Sequence, residues 1–403
     1  MDQMQLAGYS INELLEIYRQ DLFDDFLPYL DTHIYDEKFG GFMCHTDQSG
    51  NQVSQIKRTW YDGRGIWVYS YLYRHFGQQK KYLDKADKTI AFLWEVESSE
   101  YPYWPWGYSR EGYPIKDQTP DIYGALFIAE GLTAYSAASG REMYWDKAKS
   151  ILLNCVEEYD RKKYQYSPHY TTSETTLQAP RVLGHWMIIL NLCGQMLDQK
   201  DDPVVRNLSD RSIEALLEHH LHPRFNLLIE YLNHDLTLPE SPLDQFAYTG
   251  HGMEVLWMIM AEAERREDNL LYEKAADLFK RHVELSWDGV YGGFFHELTH
   301  VTENKWLTDK VLWAQEEVLT GLMLMIAKNR DPWAMRWFDR VYPYVRENFI
   351  LHDHRNRLWV NGGDRIMEEH HQVDRFENYH HPRHLMMNIR VLERMLSHSV
   401  EPR

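Results

Sequence analysis

The sequence predicts an all-α fold, an (α/α)6 barrel in which six helical hairpins close into a ring, with short β-hairpins in the long loops. Apolar residues recur at helical spacing in about a dozen stretches, and strand-like alternation is scarce. Short connections such as Gly77-Gln78-Gln79, Ser139-Gly140 and 199–202 alternate with loops of roughly 15 to 30 residues, longer than a compact domain carries without a use for them. The order long loop, helix, short turn, helix therefore recurs about every 60 to 67 residues, which marks a repeated supersecondary unit.

Taken in order, the apolar periodicity predicts a first helix over 11–30, then pairs over 59–75 and 81–96, 122–138 and 144–159, and 182–197 and 203–219. Further pairs cover 250–266 and 272–285, then 310–327 and 332–348, and a last helix covers 382–396. Two loops repeat a second signal: Asp36-Glu37-Lys38-Phe39-Gly40-Gly41-Phe42 resembles Trp287-Asp288-Gly289-Val290-Tyr291-Gly292-Gly293-Phe294-Phe295. Glycine pairs among aromatics fit tight turns carrying short β segments, and they place small hairpins over the barrel mouth. Arg64, Tyr123, His185, His251, Trp313 and His380 occupy similar places in successive units, near the start of the helix that follows each long loop. Inner helices would bring these positions to one end of the ring. Linkers rich in Pro, Gly or Ser are absent, so one catalytic domain is expected over 1–403.

The net charge of -18 disfavours nucleic acid and anionic membranes, which need clustered Lys and Arg to replace counterions. Cys44, Cys155 and Cys193 stand alone without metal-ligand spacing, as in a reducing compartment. Residues 1–10 lack a basic then apolar leader, and no apolar run approaches the roughly 18 residues that span a bilayer. A cytoplasmic location is expected. Fourteen Trp and 27 Tyr exceed what a plain helical bundle uses; such rings fill a large core or stack on sugars. Exposed aromatics on outer helices are compatible with a homodimer.

Two segments carry the chemistry, Gly250-His251-Gly252-Met253-Glu254-Val255-Leu256-Trp257 and Asn378-Tyr379-His380-His381-Pro382-Arg383. Each places a histidine where a helix opens, and imidazole is the side chain whose ordinary pKa lies nearest neutrality. Glu254, three residues after His251 on the same face, is the carboxylate expected to orient that ring. His380 is followed by Pro382 at a first-turn position and Arg383 one turn on. His185 in Gly184-His185-Trp186 and Arg64 in Asp62-Gly63-Arg64 share the register, and a guanidinium facing the cavity suits the negative oxygen of an enediolate. Alternatively, Arg64 pairs with Asp62.

A metal reading would use His380 and His384, four apart on one helical face, with His370-His371 nearby. No His-Glu-x-x-His or paired cysteines accompany them, and neither a P-loop nor a Gly-x-Gly-x-x-Gly follows a strand. Neither a metal nor NAD is expected as cofactor. His219-His220 and His222 read as a solvated helix end.

Together these residues resemble the N-acylglucosamine 2-epimerase family, which also holds cellobiose 2-epimerases, mannose 2-epimerases and aldose-ketose isomerases. The likeness runs through Phe39-Gly40-Gly41-Phe42, Gly63-Arg64 with Trp67, Gly250-His251 with Glu254, Trp313-Ala314-Gln315-Glu316-Glu317, and Tyr379-His380 with Pro382-Arg383. It implies the (α/α)6 barrel, His380 and His251 as the general acid/base pair, Arg64 on the oxygens near C1 and C2, and His185 as an additional active-site histidine. It further implies Glu254 and Glu317 as carboxylates supporting the histidines or binding hydroxyls, Trp313 as an aromatic wall, and Tyr123 and Arg383 among the residues contacting sugar. The implied substrate is a free monosaccharide, N-acetylglucosamine/N-acetylmannosamine or glucose/mannose, epimerised at C2 through an enediolate. Two departures stand out: Asp374-Arg375-Phe376-Glu377 occupies the stretch where cellobiose-specific members carry a tryptophan, and Leu312-Trp313 replaces a tryptophan pair. Other readings are an aldose-ketose isomerase converting mannose to fructose, a glycoside hydrolase using Asp121 and Glu254, and a sugar-binding protein without chemistry.

Overall fold

The computed structural model describes residues 4–47, 51–100, 103–115, 122–167, 177–349 and 376–398. Asp121, His370, His371, Asp374 and Arg375, weighed above, lie outside the described residues. Helix α1 (Ile11–Gln20) starts from a capping box, in which the Ser10 hydroxyl accepts from the Glu13 amide and the Glu13 carboxylate accepts from the Ser10 amide. It continues through wider, π-type turns to Ile34, with one α-helical turn, α2 (Leu27–Tyr29), between them. There follow α3 (Thr59–His75), α4 (Lys80–Val96), α5 (Tyr123–Ser139), α6 (Glu142–Tyr159), α7 (Leu183–Leu197), α8 (Pro203–Glu214), α9 (Thr249–Arg265), α10 (Asn269–Ser286), α11 (Leu312–Asn329), α12 (Pro332–Asn348) and α13 (His380–His398).

The odd-numbered helices from α3 to α13 form an inner ring in which each packs on the next, and α13 returns to α3. Outer helices α4, α6, α8, α10 and α12 back the inner helix that precedes them, while α1 backs α13. The sixth hairpin is therefore assembled from the two ends of the described chain. Burial follows from the two layers: α4 buries Tyr82, Ala86, Ile90 and Leu93 on a single stripe, whereas α7 is buried almost all round, from Leu183 to Leu190. No helix among the described residues is long and apolar enough to cross a membrane.

The closest helix pair is α3 with α5. A Cβ on Gly63 would run into the backbone of Phe127, and one on Gly131 would lie 2.5 Å from the Gly63 carbonyl oxygen. Glycines there let two backbones touch.

The loops at the mouth form small antiparallel pairings, among them Lys57–Arg58 with Gly107–Tyr108 and Arg181–Val182 with Tyr231–Leu232. The two glycine-pair loops are equivalent turns, with Gly40, Gly41, Gly292 and Gly293 all at positive φ. In each, an aspartate caps the turn: Asp36 Oδ1 accepts from the Lys38 amide at 3.0 Å, and Asp288 Oδ1 from the Val290 amide at 2.9 Å. A buried lysine closes both, with Lys57 Nζ donating to the Gly40 carbonyl and Lys310 Nζ to that of Gly292, each at 2.6 Å. A third copy lacks glycine and escapes the sequence pattern: His222 Nδ1 accepts from the amides of Arg224 at 3.1 Å and Phe225 at 3.3 Å. His220 is buried as well, its Nδ1 2.7 Å from the Ile229 carbonyl oxygen. The expectation of a solvated helix end at His219-His220 and His222 is thus overturned at His220 and His222: both are buried, and His222 does the capping work that aspartate does in the sister turns.

Candidate active site

The inner helices start at the mouth, and five of the six register positions fall in their first turn: Tyr123 and His380 open α5 and α13, Trp313 is the second residue of α11, and His185 and His251 are third in α7 and α9, whereas Arg64 is sixth in α3, more than a turn further in. Two glycines shape the space around His251. A Cβ on Gly184 would lie 2.9 Å from the His251 ring, and one on Gly250 would lie 2.5 Å from the Trp313 ring. Trp313 touches both histidines, with ring centroids 5.9 Å from His251 and 5.3 Å from His380. Each of these three side chains is buried but retains a small exposed fraction.

The carboxylate beside His251 is Glu230, whose oxygens lie 3.2 and 3.3 Å from Nδ1. Glu230 stands in the loop strand before Tyr231, its position set by main-chain bonds to Phe246 and Leu183. This corrects the expectation for Glu254, which turns instead toward Arg383 and lies 3.9 Å from His380 Nε2. Glu377 accepts from the amides of Tyr379 at 2.9 Å and His380 at 3.2 Å, which caps α13 and brings its other oxygen to 3.8 Å from His380 Nδ1.

Arg383, expected among the sugar contacts, is turned to protein carboxylates. Its Nη2 donates to Glu254 at 2.5 Å and to Glu317 at 2.6 Å, and the Trp257 indole N–H donates to the other Glu317 oxygen at 2.7 Å. Burial pushes the Glu317 carboxyl up to about 8, with Arg383 pulling the other way and Glu254 adding to the rise. Glu254, Glu317 and His380 present donor atoms within 4.8 Å of one another, and among the described residues they form the one group fit to hold a metal ion. The Arg383 guanidinium already supplies a positive charge to both carboxylates, so a metal ion would have to displace it. His384 is not part of this group: its Nδ1 faces Thr320 at 3.3 Å and Asn388 at 3.2 Å, and its ring packs on Tyr18.

Arg64 lies with its guanidinium carbon 4.1 Å from the centre of the Phe127 ring and 4.9 Å from that of Tyr379. The alternative pairing with Asp62 does not form, because Asp62 accepts from the Phe42 amide at 2.8 Å and from the Tyr108 hydroxyl. Tyr379 in turn donates to the buried Glu130 at 2.7 Å, which also accepts from Asn191 and Gln195 at 2.8 Å. Burial raises the Glu130 carboxyl against those donors.

His185 is fully buried behind His251, boxed by the rings of Tyr123, Tyr159, Tyr164 and Tyr166, with Nε2 3.4 Å from the Tyr164 hydroxyl. Burial, reinforced by His251, drives its pKa down to about 3, so the ring is neutral. Sequence reasoning missed Glu230 and also His296, whose ring contacts Tyr248 and Trp313 and whose Nδ1 is 3.2 Å from the Asp309 carbonyl oxygen. Neither carries a local motif; both are loop residues immediately before a short strand, Glu230 before Tyr231–Leu232 and His296 before Glu297–His300.

Residues 40–381 match the family model described as N-acylglucosamine 2-epimerase (GlcNAc 2-epimerase). The chain is 22% identical over 351 residues to the N-acylglucosamine 2-epimerase of Rattus norvegicus, covering 84% of this chain and 82% of that protein. Among solved structures it is similar to a cellobiose 2-epimerase from Bacillus thermoamylovorans, with TM-score 0.80 and 18% identity over 94% of this chain and 99% of the other. A D-mannose isomerase superposes with TM-score 0.77 and 15% identity, over 98% of this chain and all (100%) of the other.

Proposed function

The chain belongs to the N-acylglucosamine 2-epimerase family, and we propose that it is a cofactor-independent 2-epimerase that interconverts gluco- and manno-configured free monosaccharides. The substrate in this reading is N-acetylglucosamine/N-acetylmannosamine or glucose/mannose. The observation that carries it is the pair of imidazoles, His251 and His380, in contact with one indole, Trp313, with a carboxylate beside each ring. Binding alone has no need of two bases on one wall.

The chemistry follows from the sugar. Once the ring opens, the C1 aldehyde acidifies the C2 hydrogen, so one imidazole can remove that proton and leave an enediolate. Arg64 stabilises the negative oxygen, since its charge is in place before the reaction begins. The other imidazole returns a proton to the opposite face of C2, and the product is the epimer. No electrons leave the substrate. Glu230 holds the His251 ring in one orientation, and Trp313 offers a flat surface to the sugar. Of the two carboxylates in the hydrolase reading, Asp121 lies outside the described residues, and Glu254 is bound to Arg383, which counts against its acting on a glycosidic bond.

Incubation with each free sugar in deuterated water tests the proposal. Deuterium at C2 of an aldose product is expected. A ketose labelled at C1 would move the reading to an aldose-ketose isomerase, and absence of exchange with every sugar would remove proton transfer altogether.

A further inference from the structure

Arg64 and Arg383 are buried arginines against the same Tyr379 ring, at 4.9 and 4.6 Å, yet they are held in opposite ways. Arg383 is gripped by its edge, with N–H donors committed to two carboxylates. Arg64 sits in the corner of two nearly perpendicular rings, 4.1 Å from the centre of Phe127 and 4.9 Å from that of Tyr379, whose centres are 5.7 Å apart, and among the described residues no carboxylate lies within ion-pair distance of it and its Nε has no hydrogen-bond partner. We infer that Phe127 and Tyr379 are positioning residues that clamp the Arg64 guanidinium in this aromatic corner, so that it faces the substrate without being tied up in a carboxylate ion pair. The inference rests on the proton-transfer reading, in which Arg64 meets the enediolate oxygens.

The physical case turns on what a carboxylate partner would do. It would hold the guanidinium equally well, but it would occupy the fork of donors and cancel much of the field that an enediolate needs. An aromatic face attracts a cation through its quadrupole but carries no net charge, so it holds the guanidinium without forming the ion pair that would neutralise it. Backbone geometry supplies the clamp. Gly63, immediately before Arg64, touches the Phe127 backbone, and Gly131 admits the Gly63 carbonyl, so Arg64 emerges directly beside the Phe127 ring. The second jaw is fixed by the Tyr379 hydroxyl on Glu130 and by the edge-on contact of Tyr379 with Phe127, centroids 5.7 Å apart.

The test is a double-variant cycle with Phe127→Leu and Arg64→Ala, read as kcat and KM separately. Phe127→Leu should lower kcat about tenfold or more with KM within about twofold, the pattern of an interaction made mainly in the transition state. Phe127→Tyr, which keeps an aromatic face, should restore kcat. In the Arg64→Ala background Phe127→Leu should cost nothing further, because the two residues act as one unit. Full kcat in folded Phe127→Leu, losses that multiply independently, or failure of Phe127→Tyr to rescue would each overturn the clamp. If Phe127→Leu does not fold, Phe127→Met is measured in its place against the same outcomes. Undiminished kcat in Arg64→Ala would instead bring down the placement of Arg64 on the enediolate, and the clamp with it.

Discussion

Both carboxylate oxygens of Glu230 face a single nitrogen, Nδ1 of His251, at 3.2 and 3.3 Å. That geometry places the Nδ1 proton on the Glu230 side and leaves Nε2 as the basic atom, a tautomer choice made by a residue 21 positions away in sequence.

Glu230→Gln keeps an oxygen to accept from Nδ1 but removes the charge that settles the ring. Turnover should fall about 10-fold to 1,000-fold, below the loss expected for removing the base itself. Glu230→Asp should recover part of it. Steady-state kinetics on variants with wild-type circular dichroism decide the matter, and an unchanged kcat in Glu230→Gln would assign Glu230 to loop structure alone.

His251→Ala and His380→Ala should each reduce epimerisation about 100-fold to 10,000-fold while leaving the fold intact. In the proposed mechanism each histidine serves one face of C2, so each variant should still exchange the C2 hydrogen of one epimer faster than that of the other. Proton NMR in deuterated water, started from either sugar, reads this directly. Equal exchange from both sugars in both variants would count against a division of labour.

Activity should survive EDTA and exhaustive dialysis without added NAD. The reason lies in Arg383, which occupies the charge-balancing position between Glu254 and Glu317. A dialysed, inactive enzyme revived by a divalent ion would show that the Glu254, Glu317 and His380 group binds metal after all.

Stability should decline as pH drops from about 6.5 toward 4. Desolvation pushes buried His220, His282 and His296 from an ordinary 6.5 down to about 4 in the fold. The unfolded chain therefore takes up these protons first, so the stabilisation is present above 6.5 and lost as pH falls through the folded values. Within that window each such group adds a slope of about 1.4 kcal/mol per pH unit. His282 is the clearest case, since its Nε2 accepts from the Leu228 amide at 3.1 Å while Nδ1 faces the Leu278 carbonyl oxygen at 2.8 Å, an arrangement that needs the neutral ring. Urea midpoints at pH 8, 6.5 and 5 should show little change over the first step and a clear fall over the second, with a shallower fall in His282→Gln. A midpoint as high at pH 5 as at pH 8 would contradict this.

The ring was legible because the outer helices keep a single apolar stripe and the inner ones are apolar on nearly every face, and because the short turns and long loops keep a fixed order. The histidine register was legible for the same reason: position in a repeat translates into position at one end of a barrel. What stayed hidden was anything set by contact between repeats. The i,i+3 relation of His251 and Glu254 is real on α9, but Glu254 turns toward Arg383, and the orienting role goes to Glu230 across a loop. Arg383 was assigned to sugar because nothing local shows that two glutamates from α9 and α11 converge on it. The third capped turn was invisible because His222 replaces aspartate and no glycine pair follows.

Helix α13 closes the ring and, with Tyr379 just before it, brings partners to acids that other helices bury: the Tyr379 hydroxyl donates to Glu130, the Arg383 guanidinium pairs with Glu254 and Glu317, and the His381 ring meets Glu316. A chain lacking residues 376–398 would have to bury Glu254 and Glu316 without the partners they have in the ring, and Glu130 and Glu317 with fewer donors, which is costly enough to keep the trough open. Ring closure, pairing of these buried acids and delivery of His380 therefore coincide in one event. Shortened translation products should accordingly be degradation-prone open chains rather than slow enzymes, and appearance of activity would serve as a readout of completed folding.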